Sequence, residues 1–467
     1  MSTLVQKMGE FVARSSYEDL SAEARAALKA RMLDSLGCAL GALDGETTPA
    51  LKGELGEFGG RALCTVLGAG RTAPDRAAFY NGSLVRYLDF NDSYLAKDET
   101  CHPSDNLAAV LAAAEHVGAS GRELLTALAV AYQVQCRLSD VAPVRDRGFD
   151  HTTHLAYSVA AGVARALGLD AERTAHAIAI AGASLTALRI TRTGALSNWK
   201  GLAAPAAAFG ATHAAYLARR GITGPLGIFE GNKGLFDAIT GPFSIDWSQE
   251  DLERVRATAL KRFNAEVHAQ SAIEAALELT GGQRLAAEQV ERVEVDVFGV
   301  AYRIIGGGEE GDKRMVETKE QADHSLPYML AAALLDGRLM PEQYRRERIL
   351  RSDVQSLLRR VVVRESPELS ARFPREHACR LRLVMRDGAV REREKHDYEG
   401  FPTRPMPWER VVAKFHALGA AVPERARARI VETVQRLEDV HVSELCKRLS
   451  DATPGQPQQE VTPSWPS

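Results

Sequence analysis

Residues 291–304 read ERVEVDVFGVAYRI, and the period of this stretch decides the fold. Val293, Val295 and Val297 alternate with charged neighbours, the pattern of a strand with one dry face and one wet face. Nothing on the N-terminal side looks like this. Residues 1 to about 265 read as helix after helix: GRELLTALAVAYQVQCRLSD (121–140) and DAERTAHAIAIAGASLTAL (170–188) place apolar residues three and four apart. Asp170 and Glu172 stand where a cap and a first-turn acid belong, just past Gly168. The alanine-rich GLAAPAAAFGATHAAYLA (201–218) suits close packing, because small side chains let helix axes approach.

Beyond residue 304 the signals mix. SLPYMLAAALLDG (325–337) and 352–359 read as helices, and RRVVVRES (359–366) as a short strand. CRLRLVMRDGAVREREKHDY (379–398) reads as a hairpin turning at Asp387-Gly388. Helical period returns in PWERVVAKFHALG (407–419) and ERARARIVETVQRLEDV (424–440). The expectation is a mainly α protein: a large helical domain built from both chain ends (1–265 and 405–450) with a smaller α+β domain (266–404) inserted. The polar, proline-rich residues 451–467 are expected to be disordered.

Composition narrows the function classes. The chain has 467 residues, 45% hydrophobic and 25% charged, as expected of a globular protein with a substantial core. A formal net charge of -3 leaves no electrostatic footprint for nucleic acid or an anionic membrane. The N-terminal stretch has no apolar signal segment and no run is long enough to span a bilayer. Cys38, Cys64, Cys101, Cys136, Cys379 and Cys446 are scattered, without zinc or iron–sulfur spacing, so reduced thiols in a cytoplasmic protein are expected. No P-loop, H-E-x-x-H or G-x-S-x-G motif occurs, and Gly306-Gly307-Gly308 reads as a turn.

The chemistry concentrates in YLDFNDSYLAKDETCHPSDN (87–106). Asp89, Asp92, Asp98 and Asp105 cannot all be unpaired buried ions, so some face water and the others need partners. Pro103 forces an extended backbone at His102. Three more helix entries bring imidazoles or cations: His151 and His154 in GFDHTTHLAYS, Lys200 in NWKGLAAPAAA, and Lys261, Arg262 and His268 in LKRFNAEVHAQSAIEAA. Helix N-termini already favour anions, so their repetition points to a small polyanionic ligand.

The ordered set LDFNDSYL, HPSDN, GFDH, NWKG, LKRFNAEVHAQ and ADHSLPYMLAAALLDG resembles the MmgE/PrpD family from about residue 5 to about residue 445. That resemblance implies a helical domain from both chain ends, an inserted α+β lid and a homodimer. It also implies an activity among 2-methylcitrate dehydratase, cis-aconitate decarboxylase and iminodisuccinate epimerase. Residue by residue, it implies Asp92 and His102 as the central acid/base pair and His151 as a further active-site histidine. Lys200 and Lys261 match lysines that meet substrate carboxylates, while His268, Tyr328 and His324 line the family's cleft. Arg192, in RITRTGALSNWK, is a further candidate for a substrate carboxylate.

Removing a weakly acidic proton beside a carboxylate needs fixed cations for the developing charge, a base for carbon and an acid for the leaving oxygen. With no cluster ligand set in the sequence, the expected mechanism uses protein cations and no cofactor or metal. A lyase acting on a di- or tricarboxylate is therefore the leading expectation, with 2-methylcitrate the best single substrate. HDYEGFPTRPMPWERVVAKF (396–415) departs from the arginine-rich stretch of genuine 2-methylcitrate dehydratases. An epimerase of a dicarboxylate, a cis-aconitate-type decarboxylase and a non-catalytic helical scaffold are the competing expectations.

Overall fold

A computed structural model describes residues 2–194, 196–308 and 311–453. The chain is mainly α, and it divides into two compact units. Within the described residues, one unit comprises 2–191, 201–258 and 407–453, and the other 192–194, 196–200, 259–308 and 311–406. The tail expected to be disordered lies, from residue 454 onward, outside the described residues.

The first unit is a stack of helices whose starts are written in the sequence. Thr3, Ser21, Ser120 and Asp170 each accept a backbone N–H with their side chains at the N-cap of a helix. Alanine and glycine then set the spacing between them. A Cβ on Gly162, in the helix Thr152–Ala166, would come within 2.9 Å of both Ala131 and Val110. Glycine is therefore what lets that helix close on Gly121–Val141 and Leu107–Val117. The chain's last helices, Trp408–Leu418, Glu424–Gln435 and Val442–Ser450, belong to this unit as well.

One stretch departs from the expected succession of helices. Between Arg219 and Gln270 the chain forms only single turns, at Phe236–Thr240, Arg254–Ala257 and Val267–Ala269. Gly221, Gly224, Gly227, Gly231, Gly234 and Gly241, with Pro225 and Pro242, interrupt any helix there despite the apolar residues between them. Two small ribbons also break the first unit, Cys64–Val66 with Gly70–Thr72 and Tyr94–Leu95 with Thr100–Cys101.

The second unit holds a four-stranded mixed sheet. Val290–Val297 lies inside it, parallel to Val361–Glu365 and antiparallel to Cys379–Met385, which pairs in turn with the edge strand Val390–Lys395. Val293, Val295, Leu381 and Leu383 point into an apolar core with the helix Leu326–Asp336, while the alternate positions carry charge. The hairpin turns where Asp387-Gly388 required, with Gly388 at φ +88° and Met385 N–H donating to the Ala389 carbonyl at 2.9 Å.

Candidate active site

In the first unit, the loop after the helix Pro74–Tyr87 carries the acid/base candidates. Asp89 leaves that helix at φ +53°, a left-handed conformation that aspartate tolerates better than bulkier residues. Of the four aspartates, Asp98 is exposed and the other three are buried. Arg86 answers two of them, donating to Asp89 at 2.7 Å and lying 3.9 Å from Asp105.

Asp92 is different. Its carboxylate is 0% exposed and accepts from Ser104 N–H at 3.0 Å and from the Tyr132 hydroxyl at 2.8 Å. It makes no ion pair among the described residues. Burial pushes its pKa up, against the Ser104 and Tyr132 hydrogen bonds and the field of Arg31. A carboxyl held by neutral donors in a dry site favours its protonated form.

His102 precedes Pro103 at φ -123° and ψ 88°, outside the helical region that a following proline disfavours though short of a fully extended strand. Its Nδ1 lies 2.8 Å from the main-chain oxygen of Asp92 and 3.1 Å from Ser93 Oγ. A carbonyl oxygen can only accept, so Nδ1 carries the hydrogen and the neutral ring keeps Nε2 as its basic nitrogen. The ring of His151 stands edge-on at 5.2 Å. His151 starts the helix Thr152–Ala166, and its Nδ1 lies 3.3 Å from the buried carboxylate of Asp150, which also lies 3.6 Å from Arg189. Asp92, His102 and His151 therefore belong to one local constellation. His154 belongs elsewhere: it is buried, its Nε2 is 2.8 Å from the Ala142 carbonyl, and burial lowers its pKa.

The second unit collects the cations. Lys200, the second residue of the helix Trp199–Arg219, places Nζ 2.5 Å from Asp323 Oδ1 and 2.8 Å from His324 Nδ1. Lys319 reaches the other oxygen of Asp323 at 2.9 Å. His324 Nδ1 is also 2.8 Å from Asp323, so it either donates to that carboxylate or accepts from Lys200. Burial alone would raise the pKa of Asp323, but Lys200, Lys319 and His324 outweigh it and the net shift is down.

Other expected site residues sit less openly. Lys261 is fully buried and lies in irregular chain rather than at a helix start. Its neighbour Leu260 donates its N–H to the Gly400 carbonyl at 2.9 Å. Gly400, at φ +115°, has no room for a Cβ because the Leu260 carbonyl occupies that space. Arg192 is buried at the end of the turn Arg189–Arg192. His268 packs among Phe298, Phe373 and His377, ring to ring at 5.4, 5.8 and 6.1 Å. Burial, followed by the neighbouring His268, pushes His377 down to about 3. Tyr328, expected to line a cleft, is instead core: it is 0% exposed and its hydroxyl donates to the Gln343 carbonyl.

Asp150 and Asp323 were absent from the residues singled out in the sequence. A signal existed, since each is the acid of an Asp-His dipeptide whose histidine had been picked out. In both, the carboxylate lies against its neighbour's Nδ1, at 3.3 and 2.8 Å.

The MmgE/PrpD N-terminal domain matches residues 6–248 and the MmgE/PrpD C-terminal domain residues 263–439. The chain belongs to the MmgE/PrpD family. It is an enzyme, and its relatives' names are those of lyases. It is 30% identical over 451 residues to the 2-methylcitrate dehydratase of Escherichia coli K12, covering 88% of this chain and 90% of that protein. The 2-methylcitrate dehydratase of Cupriavidus necator is 29% identical over 389 residues, 77% of this chain and 78% of its own. The cis-aconitate decarboxylase of Mus musculus is 25% identical over 406 residues, 81% of this chain and 79% of its own. Among the described residues, no helix is long and apolar enough to cross a membrane.

Proposed function

We propose that this MmgE/PrpD enzyme is a lyase that removes water from a di- or tricarboxylate, with 2-methylcitrate as its substrate. The observation that carries the reading is the hydrogen bond from His102 Nδ1 to the Asp92 main chain, with His151 against the same ring. It leaves His102 Nε2 as a base of fixed direction, with a second imidazole at hand that is backed by a carboxylate.

In the proposed reaction His102 Nε2 takes the proton from the carbon next to a carboxylate. The bonding electrons move onto that carboxylate as an aci-carboxylate. They return to form the carbon–carbon double bond as the carbon–oxygen bond breaks. His151, whose Nδ1 lies 3.3 Å from the Asp150 carboxylate, gives a proton to the departing hydroxyl, which leaves as water. Within the second unit Asp323 with Lys319 fixes Lys200 in place, and Lys200 and Lys261 are the cations this reading assigns to a substrate carboxylate. Asp92 serves His102 directly: its main-chain oxygen sets the tautomer, and its side chain, accepting from Ser104 N–H and the Tyr132 hydroxyl, anchors the loop.

The test is turnover of 2-methylcitrate by the purified protein, followed as enoate absorbance and by proton NMR, with and without added iron. Formation of 2-methylaconitate supports the reading, and no consumption under either condition sinks the substrate. The cis-aconitate decarboxylase among the relatives keeps a second reading open. Release of CO2 from cis-aconitate, without dehydration of 2-methylcitrate, would establish that one. Deuterium entering a dicarboxylate from solvent with no loss of water or CO2 would instead mark an epimerase.

A further inference from the structure

A buried ion pair lies beneath the acid/base loop, and its residues play no part in the chemistry above. Lys414, in the helix Trp408–Leu418, and Asp34, in the helix Ala22–Leu40, are both 0% exposed and meet at 2.7 Å. The Lys414 ammonium also donates to the Phe90 carbonyl at 2.8 Å and sits 3.6 Å above the centre of the Phe90 ring. Phe90 is itself fully buried, two residues before Asp92. The two helices approach closely at this point because residue 37 is glycine: a Cβ there would lie 3.1 Å from Phe415 Cα.

Energetics make the arrangement informative. Taking an ammonium and a carboxylate fully out of water is expensive, and an apolar pair of similar volume is often as stable or more so. Lys414 spends its charge on a backbone oxygen and a ring face of the loop that carries Asp92 and His102. From Phe90 the chain runs directly to the Asp92 main-chain oxygen, which holds His102 Nδ1. A shift of Phe90 would therefore rotate the acceptor that fixes the imidazole.

We propose that Lys414 and Asp34 are positioning residues for the His102 base, the ammonium clamping Phe90 so that the Asp92 carbonyl stays aligned with His102 Nδ1. This rests on the reading of His102 as the proton-moving group. It predicts that loss of the clamp changes the tautomer balance of His102 even when the fold survives.

The experiment compares Lys414→Met with the double variant Asp34→Asn/Lys414→Met. The single change strands a buried carboxylate and lowers Tm; the double change removes both charges and restores Tm. In the double variant kcat stays lowered about tenfold or more with KM little changed, because the binding groups are untouched and the base is misaligned. Imidazole nitrogen NMR of the substrate-free protein shows His102 moving from the Nδ1–H form toward a mixture of tautomers. Phe90→Leu, which keeps both charges and removes only the ring, moves the same signals in the same direction. A double variant with wild-type kcat and a wild-type His102 spectrum overturns the proposal, as does an unchanged spectrum in Phe90→Leu. The NMR readout needs no substrate. If the wild-type protein turns over no polycarboxylate, the functional reading falls while the His102 spectrum still decides this one.

Discussion

Asp92 and Asp323 are both buried aspartates, 0% and 1% exposed, and their surroundings push them in opposite directions. Asp92 meets neutral donors, Ser104 N–H and the Tyr132 hydroxyl, and burial raises its pKa. Asp323 meets two ammoniums and an imidazole, which overcome burial and lower its pKa. Burial alone therefore says little about the charge of a carboxylate; the partners decide it. In the first unit the surroundings favour the protonated form of a carboxyl, and in the second they favour fixed charge. Those are the two capacities that elimination next to a carboxylate requires.

Removing the base should give the largest effect. His102→Gln is expected to lower kcat by about 10²- to 10⁴-fold with Tm close to wild type, since general acid–base groups contribute on that order. Activity within a few-fold of wild type would leave the first-unit constellation without its proposed role. Next comes Asp323→Ala, which leaves Lys200 and Lys319 facing each other without their carboxylate. Breaking a buried pair from one side costs about 3–5 kcal/mol, to be read from denaturant unfolding.

Asp92→Asn separates the two aspartates most clearly. An amide mimics a protonated carboxyl, so the fold should hold while kcat falls about 10- to 100-fold through poorer support of His102. The pH dependence has a definite sign. A raised folded pKa stabilises the protein at low pH, and that contribution is lost as pH rises through the folded value. The stability of Asp92→Asn relative to wild type should therefore improve with increasing pH. Asp323 behaves oppositely: its contribution is present above the ordinary carboxylate value of 3.8 and is lost only as pH falls through its lower folded value. The deficit of Asp323→Asn should accordingly shrink in acid. Gly400→Ala is expected to lose about 1–3 kcal/mol of stability from backbone strain where φ is +115°, and more from the clash of its Cβ with the Leu260 carbonyl, read from denaturant unfolding.

Legibility in the sequence followed physical cause. The Val293, Val295, Val297 alternation and the Asp387-Gly388 turn are local signals, and a strand and a hairpin stand there, although the strand read over 291–304 ends at Val297 and Gly299–Gly306 turns helical. The helix starts at Ser120 and Asp170 are local too. Residues 220–269 misled because apolar composition persisted while the glycine spacing, a weaker cue, broke the helix. The chain-adjacent partners of the loop were legible as a cluster, since Asp92 and His102 are ten residues apart. Asp323 carried a local cue in its Asp-His dipeptide, but its pairing with Lys200 was not legible, because the two are 123 residues apart and only folding brings them together. Lys414 was hidden for a different reason. A lysine within AKFHAL reads as a solvated helix position, and no local pattern reveals that Asp34 and Phe90 wait on the buried side.

The most direct measurement is a carbon-13 NMR titration of aspartate carboxyls, with Asp92 and Asp323 assigned through their asparagine variants. Asp92 should keep its proton above the ordinary carboxylate value of 3.8, while Asp323 should remain ionised below it. Two carboxyls titrating together near 3.8, or in the reverse order, would contradict the division between a proton-holding unit and a charge-holding one.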